Sequence, residues 1–192
     1  MDDFAERIRA ARTCRRFAED RPLSPETLRR LVDTVRITSS CGNKQPLRYV
    51  TITTPELRAA VFPHIKWAAS LDWKGPAEGE RPTGYILICS TEPEGLFVYY
   101  DTAIAAQTLQ LHAAGMGLGC CMINNYAKKR VHALLELPED LVPTLLLAFG
   151  EPREERRLTD AKAGDSLAYW RDAGNVHYVP KLTLDQVLLA EK

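Results

Sequence analysis

Three arginines crowd into five positions of the heptapeptide ARTCRRF, residues 11–17, with Thr13 and Cys14 between them and Phe17 closing the run. Such a run is either a solvated surface turn or a grip on an anion. A second polar stretch, SSCGNKQP at 39–46, offers two hydroxyls, a glycine, two carboxamides and a proline. It can present side-chain amides and backbone N–H groups to a planar heterocycle, and the same residue types also build ordinary turns. A third candidate is Lys181 in PKLTL, alone between Pro180 and a closing helical pattern, where a surface lysine is the plainer reading.

Other chemistries are missing from the sequence. GMGLG at 115–119 has too few residues between its glycines for a dinucleotide fingerprint and follows a helix instead of opening one, so turn geometry explains it better. No Walker A sequence and no G-x-S-x-G occurs. His64, His112, His132 and His177 are isolated from one another and read as structural or exposed. Glu154 and Glu155 lie in a charged, loop-like segment and read as solvation. The five cysteines form no C-x-x-C and no zinc spacing, which suits reduced thiols in a cytoplasmic protein. The vicinal Cys120–Cys121 pair reads as buried packing. Chemistry, if present, would then belong to a bound cofactor.

Elements to position these residues are visible. The 192 residues suit one domain, here 1–192, with 45% hydrophobic and 26% charged residues. Lys plus Arg balances Asp plus Glu at 25 each, which argues against nucleic acid or a membrane surface as partner. No apolar stretch is long enough for a membrane span, and the first residues lack the pattern of a secretory signal. Phe4, Ile8 and Ala11 are spaced for a helix. Ser24 and Pro25 predict the start of a second helix, with Leu28, Leu31, Val32 and Val35 on one face. RYVTITT (48–54), YILICS (85–90), GCCMIN (119–124) and PTLLLAFG (143–150) read as strands. A long alanine-rich helix precedes Gly115, taken as its C-terminal cap, and Pro63 breaks a helix begun near Pro55. After Glu151 the chain is charged, then aromatic, then briefly helical. The alternation implies a mixed sheet covered by helices.

In this order, the clusters resemble the FMN-dependent nitroreductase family. RTCRRF is similar to the family's R-[ST]-x-R-x-F, and SSCGNKQP to its S-S-x-N-x-Q-P. YYDTAIAAQTLQLHAAGMGLGCCMI resembles the long central helix, Gly-Leu-Gly turn and following strand. LPEDLVPTLLLAFGEP and VPKLTLDQVL resemble its later segments. The resemblance implies an α+β fold, with a central, mostly antiparallel sheet flanked by helices. It also implies an interlocked homodimer holding FMN at the interface. Arg12 and Thr13 then fall at the FMN phosphate or ribityl chain, where a guanidinium bonds phosphate in bidentate fashion. Cys14 lies between them and Arg15, which falls at the flavin N1 and C2 edge, where a cation stabilises the charge of reduction. Arg16 is expected to be solvated and Phe17 to be core. Ser39, Ser40, Asn43 and Gln45 fall at flavin-reaching positions, some from the partner chain. Cys121, Met122 and Ile123 fall beside the isoalloxazine, and Lys181 at the phosphate. Ala11, Thr38, Leu47 and Met122 depart from common family residues.

The implied activity is hydride transfer from NADH or NADPH through FMN to an electron-poor nitroaromatic or quinone-like acceptor, by a ping-pong mechanism. No side chain acts as nucleophile and no metal is expected. Alternatives on the same fold are dehalogenation, ring oxidation, flavin breakdown, or a flavin-binding module without rapid turnover. Residues 63–82 are the expected lid and 167–192 the expected C-terminal arm.

Overall fold

The structure is a computed structural model that describes residues 3–68 and 73–192; part of the expected lid, 69–72, lies outside the described residues. Helix α1 (Asp3–Ala10) leads through the arginine-rich segment to α2 (Pro25–Val35). Ser24 caps α2 as its spacing predicts, accepting from the Thr27 N–H, and Leu28, Leu31 and Val35 are buried along one face. Strand β1 (Leu47–Ile52) follows. Helix α3 (Pro55–Val61) ends where Pro63 forces a single 3₁₀ turn, Phe62–His64.

Strand β2 (Gly84–Ser90), helix α4 (Leu96–Gly115), strand β3 (Gly119–Ile123), helix α5 (Lys128–Leu134) and strand β4 (Val142–Gly150) complete the main sheet. Its order is β1-β2-β4-β3, and every neighbouring pair is antiparallel. β2 is buried along its whole length, and the two-residue period of a strand divides its side chains. Ile86 and Ile88 join Leu28, Leu31, Leu109 and Phe149 in one core, under α2 and α4. Tyr85, Leu87 and Cys89 join Phe17, Ile52, Val131 and Leu146 in the other.

The end of α4 differs from expectation. The helix includes Gly115, and the left-handed residue is Gly117, at φ 75°. Leu118 N–H donates to the Ala113 carbonyl and Gly117 N–H to that of Ala114, the paired bonds of a Schellman closure. GMGLG is therefore turn geometry. It delivers Gly119 against residues 13–14, where a parallel bridge joins Thr13 to Cys120. A Cβ on Gly119 would stand 2.7 Å from both Cβ and Sγ of Cys14, so only glycine permits that approach.

The chain after Glu151 carries more structure than its charge suggests. Strands β5 (Arg156–Ala161), β6 (Trp170–Arg171) and β7 (His177–Leu182) form a second sheet, ordered β5-β7-β6, with β5 and β7 parallel. A short helix α6 (Leu184–Val187) follows, closed by a capping box between Thr183 and Gln186. Among the described residues, no helix is long and apolar enough to cross a membrane.

The topology sends the two polar clusters to opposite corners. Cys121, bridged to the arginine-rich segment at its neighbour, shares a row with Ala148, Tyr85 and Ile52. Leu47, which follows SSCGNKQP, lies in the row of Ser90 and Val142 on the other edge strand. Three strand spacings and five residues of rise separate these points by about 22 Å.

Candidate functional site

At the β3 corner, the arginine-rich segment is fixed by its backbone. Cys14 N–H donates to the Cys120 carbonyl at 2.8 Å, Arg153 N–H to that of Arg16 at 2.9 Å, and Phe17 N–H to that of Glu80 at 2.9 Å. Phe17 is fully buried, as expected. Cys14 is too. Its thiol donates to the Arg16 carbonyl, and burial pushes it up to about 12, so its side chain faces the core and not a ligand. Arg12 Nη2 donates to the Ile8 carbonyl at 2.7 Å, while its Nε is buried without a hydrogen-bond partner. Burial and the nearby Arg156 guanidinium both lower the Arg12 pKa. Among the described residues neither Arg12 nor Arg156 makes an ion pair, so two half-buried guanidinium groups share a place that an anion would stabilise.

Arg15 and Arg16 point to different surroundings. Arg16 is not solvated: Nε and Nη2 both bond the Glu80 carboxylate, the former at 2.8 Å, with both side chains about four-fifths buried. Arg15 is carried on a backbone N–H that donates to Glu154. Its guanidinium lies 4.8 Å from the Tyr169 ring centroid, with Nη1 3.4 Å from His177 Nε2. The Glu154 side chain is fully buried and also accepts from Arg171 Nη2 at 3.0 Å, a correction to its reading as a solvated charge.

Arg15 also lines a cavity of about 250 Å³ with Lys66, Trp67, Cys121–Asn125 and Tyr169. Cys121 and Ile123 are buried and Met122 half-buried. Burial raises the Cys121 thiol to about 11 against the opposing effect of Arg15, so it is neutral near pH 7. Cys120 is buried as well, and burial raises its thiol too. β3 is the last strand of its sheet, and among the described residues its outer edge is bridged only at Cys120. Backbone groups beyond that bridge are free of strand pairing.

At the β1 corner, SSCGNKQP turns through left-handed backbone at Gly42 (φ 58°), Asn43 (φ 53°) and Gln45 (φ 51°). Such a conformation costs a non-glycine residue on the order of 1 kcal/mol. Asp101, buried on α4, holds the turn: it accepts from Ser40 Oγ at 2.6 Å and from Cys41 N–H at 2.8 Å. Ser40 Oγ in turn accepts from Gln45 N–H at 2.9 Å. Burial would push the Asp101 carboxyl up, but these donors outweigh it and hold it below its ordinary value. Gln45 Nε2 donates to Asn43 Oδ1 at 3.0 Å, which leaves the Asn43 side-chain N–H groups and the Gln45 side-chain oxygen available to a ligand. Ser39, Ser40, Gln45 and Asp101 line a second cavity of about 300 Å³.

Lys181 joins neither corner within the chain. It is exposed on β7, opposite Asp160, four residues and about 13 Å beyond His177. Sequence reasoning missed Asp101, Glu154, Tyr169 and His177. Asp101 had a signal, being the single acid in an alanine-rich helix. The other three lie where the sequence shows no periodicity. Among the described residues no group of side chains is arranged to hold a metal.

The nitroreductase family model matches residues 8–82 and 80–151. A relative from Archaeoglobus fulgidus, named "Putative NADH dehydrogenase/NAD(P)H nitroreductase", is 21% identical over 84% of this chain and 92% of its own. The 5,6-dimethylbenzimidazole synthase of Rhodospirillum rubrum is 26% identical over 78% of this chain and 82% of its own. An FMN-dependent nitroreductase structure from Clostridium difficile R20291 superposes with a TM-score of 0.62 at 19% identity, over 77% of this chain and 88% of that one.

Proposed function

The chain belongs to the nitroreductase family, and from that premise we propose that it is an FMN-dependent oxidoreductase working as a homodimer. It takes hydride from NADH or NADPH and passes electrons to a nitroaromatic or quinone-like acceptor in a ping-pong sequence. The FMN-dependent and NAD(P)H names among its relatives support the cofactor and reductant. The observation that carries the reading is the split of the cluster residues between opposite corners of one sheet. Neither corner is a whole site, and a second copy supplies the missing half.

The residues present fit the cofactor. Arg12 and Thr13, beside Arg156, would take the phosphate and ribityl end, where the unpartnered Arg12 Nε and the shared positive charge favour an anion. Arg15 would stand at the N1 and C2 edge, and backbone groups of Cys121, Met122 and Ile123 would lie beside the ring. Asn43 and Gln45 of the other copy would reach the ring with their side-chain amides, while Ser39 and Ser40 frame the turn. Cys14 contributes backbone anchoring, and Lys181 meets the phosphate only if its arm reaches it from the other copy. When bound, the flavin supplies hydride and electron transfer. The chain's own part is to orient it, to place a cation where negative charge develops, and to exclude water with Trp67 and Tyr169.

The dimer has a surface suited to it. α4 exposes Leu96, Phe97, Tyr100 and Ile104, an apolar stripe on a helix whose other face is core. A second reading keeps the flavin and changes the reaction, favoured by relatives named 5,6-dimethylbenzimidazole synthase. Purified protein titrated with FMN tests both. Flavin bands, with NAD(P)H oxidation driven by a quinone, support the first. Bound FMN that is first reduced by NAD(P)H and then consumed under oxygen to give 5,6-dimethylbenzimidazole supports the second. Bound flavin that no nucleotide reduces would mark a binding module, and a protein that binds no FMN would refute all three.

A further inference from the structure

His177 is a buried polar residue with no assigned task. It is 1% exposed, on the first position of β7, outside the residues that match the family model. Its Nε2 is 3.4 Å from Arg15 Nη1. An arginine has only donors, so Nε2 must accept, which puts the ring proton on Nδ1. Nδ1 is itself buried with no hydrogen-bond partner. A histidine kept with one nitrogen unsatisfied calls for an explanation in its other nitrogen.

The groups around the ring favour the neutral form. Arg15 faces it from the N-terminal segment, Arg156 from β5 and Arg171 from β6, with Glu154 opposing them and the Tyr169 ring 5.2 Å away. Burial first, then the Arg15 charge, lowers the His177 pKa below its ordinary value. The folded state therefore loses stability as pH falls below about 6.5, where the unfolded chain takes up the proton first.

We propose that His177 is the positioning residue for Arg15: as a neutral acceptor it holds one guanidinium N–H from behind, so that the others face the cavity of Cys121–Asn125. The statement about orientation stands on this chain alone, and its consequence for flavin rests on the function proposed above. Tyr169 stacks on the same guanidinium and limits its swing. Protonating His177 removes the acceptor and places a cation against Arg15.

The experiment separates the two layers. In the protein without FMN, ¹⁵N NMR of the imidazole should show a neutral ring with its proton on Nδ1, titrating below pH 6.5. A ring protonated on Nε2 at pH 7 overturns the proposal whether or not flavin binds. With FMN, affinity and the rate of reduction by NAD(P)H should both fall on acidification through the His177 titration. His177→Gln, which keeps an acceptor at a similar reach, should bind FMN within a few-fold of wild type and lose that acid limb. His177→Phe should bind on the order of tenfold more weakly with no acid limb. Should the Phe variant fail to fold, the Gln variant decides alone: an acid limb unchanged from wild type overturns the proposal.

Discussion

The two corners of the sheet are built in different ways. At the β3 corner the chain is held by contact: Gly119 lets β3 meet Cys14, and Gly150 lies against Phe17, where an added Cβ would come within 3.0 Å. At the β1 corner it is held by charge: one buried carboxylate, Asp101, collects the donors of a turn that is strained at Asn43 and Gln45. Packing fixes a backbone that must stay put, whereas a polar clamp can hold a conformation that the backbone alone disfavours. In the proposed site the first corner offers cations to the phosphate and the ring edge, and the second offers carboxamides to the ring.

Breaking the packed corner should have the largest effect. Gly119→Ala sets a Cβ against Cys14 and should cost about 3 kcal/mol, read as a drop in Tm. Adding Cys14→Gly should restore part of that loss; an additive double variant would show that the contact is not the cause. At the clamped corner, Asp101→Asn should cost about 2 kcal/mol and weaken FMN binding, as checked by thermal melts and flavin titration. The Asp101 carboxyl is held low in the fold, so its stabilisation is present above about pH 4 and lost as pH falls further. The Asn variant should lack that part of the acid transition.

Adjacent arginines sharpen the comparison within the first corner. Arg15→Ala should slow flavin reduction and weaken FMN binding. Arg16→Ala breaks the pair with Glu80 and should lower stability by about 1–2 kcal/mol, leaving FMN affinity nearly intact. Equal effects on affinity would mean that the two roles are wrongly divided. The smallest change is expected at Gly117→Ala, where φ is 75° but nothing lies within 4 Å of the added Cβ. It should cost about 1 kcal/mol of backbone strain, read by Tm, without altering flavin binding.

Much of the fold was legible because its elements bury regular faces. Ser24 and Pro25 announce α2, and YILICS and PTLLLAFG announce the central strands by being apolar throughout. The second sheet was not legible. β5, RRLTDA, and β7, HYVPKL, are only partly buried, so neither shows a continuous apolar run nor a clean alternation. The residues proposed for the site, Arg12 to Arg15 and Ser39 to Gln45, stand out in the sequence as short motifs. Its supports were not. Glu154 and His177 are polar residues buried by long-range contacts, and Arg16 next to Arg15 meets Glu80 across the chain. A local window contains neither partner.

The proposed division of one site between two copies is tested most directly by mixing two defective chains. Arg15→Ala damages the β3 corner and Asp101→Asn the β1 corner. When the two variants are unfolded together and refolded, half of the dimers pair one of each. If every site takes one corner from each copy, each mixed dimer holds one intact site. About a quarter of wild-type FMN-dependent activity should then return. If both corners of a site came from the same chain, every site in the mixture would carry a defect, and activity no higher than that of the separate variants would contradict the account.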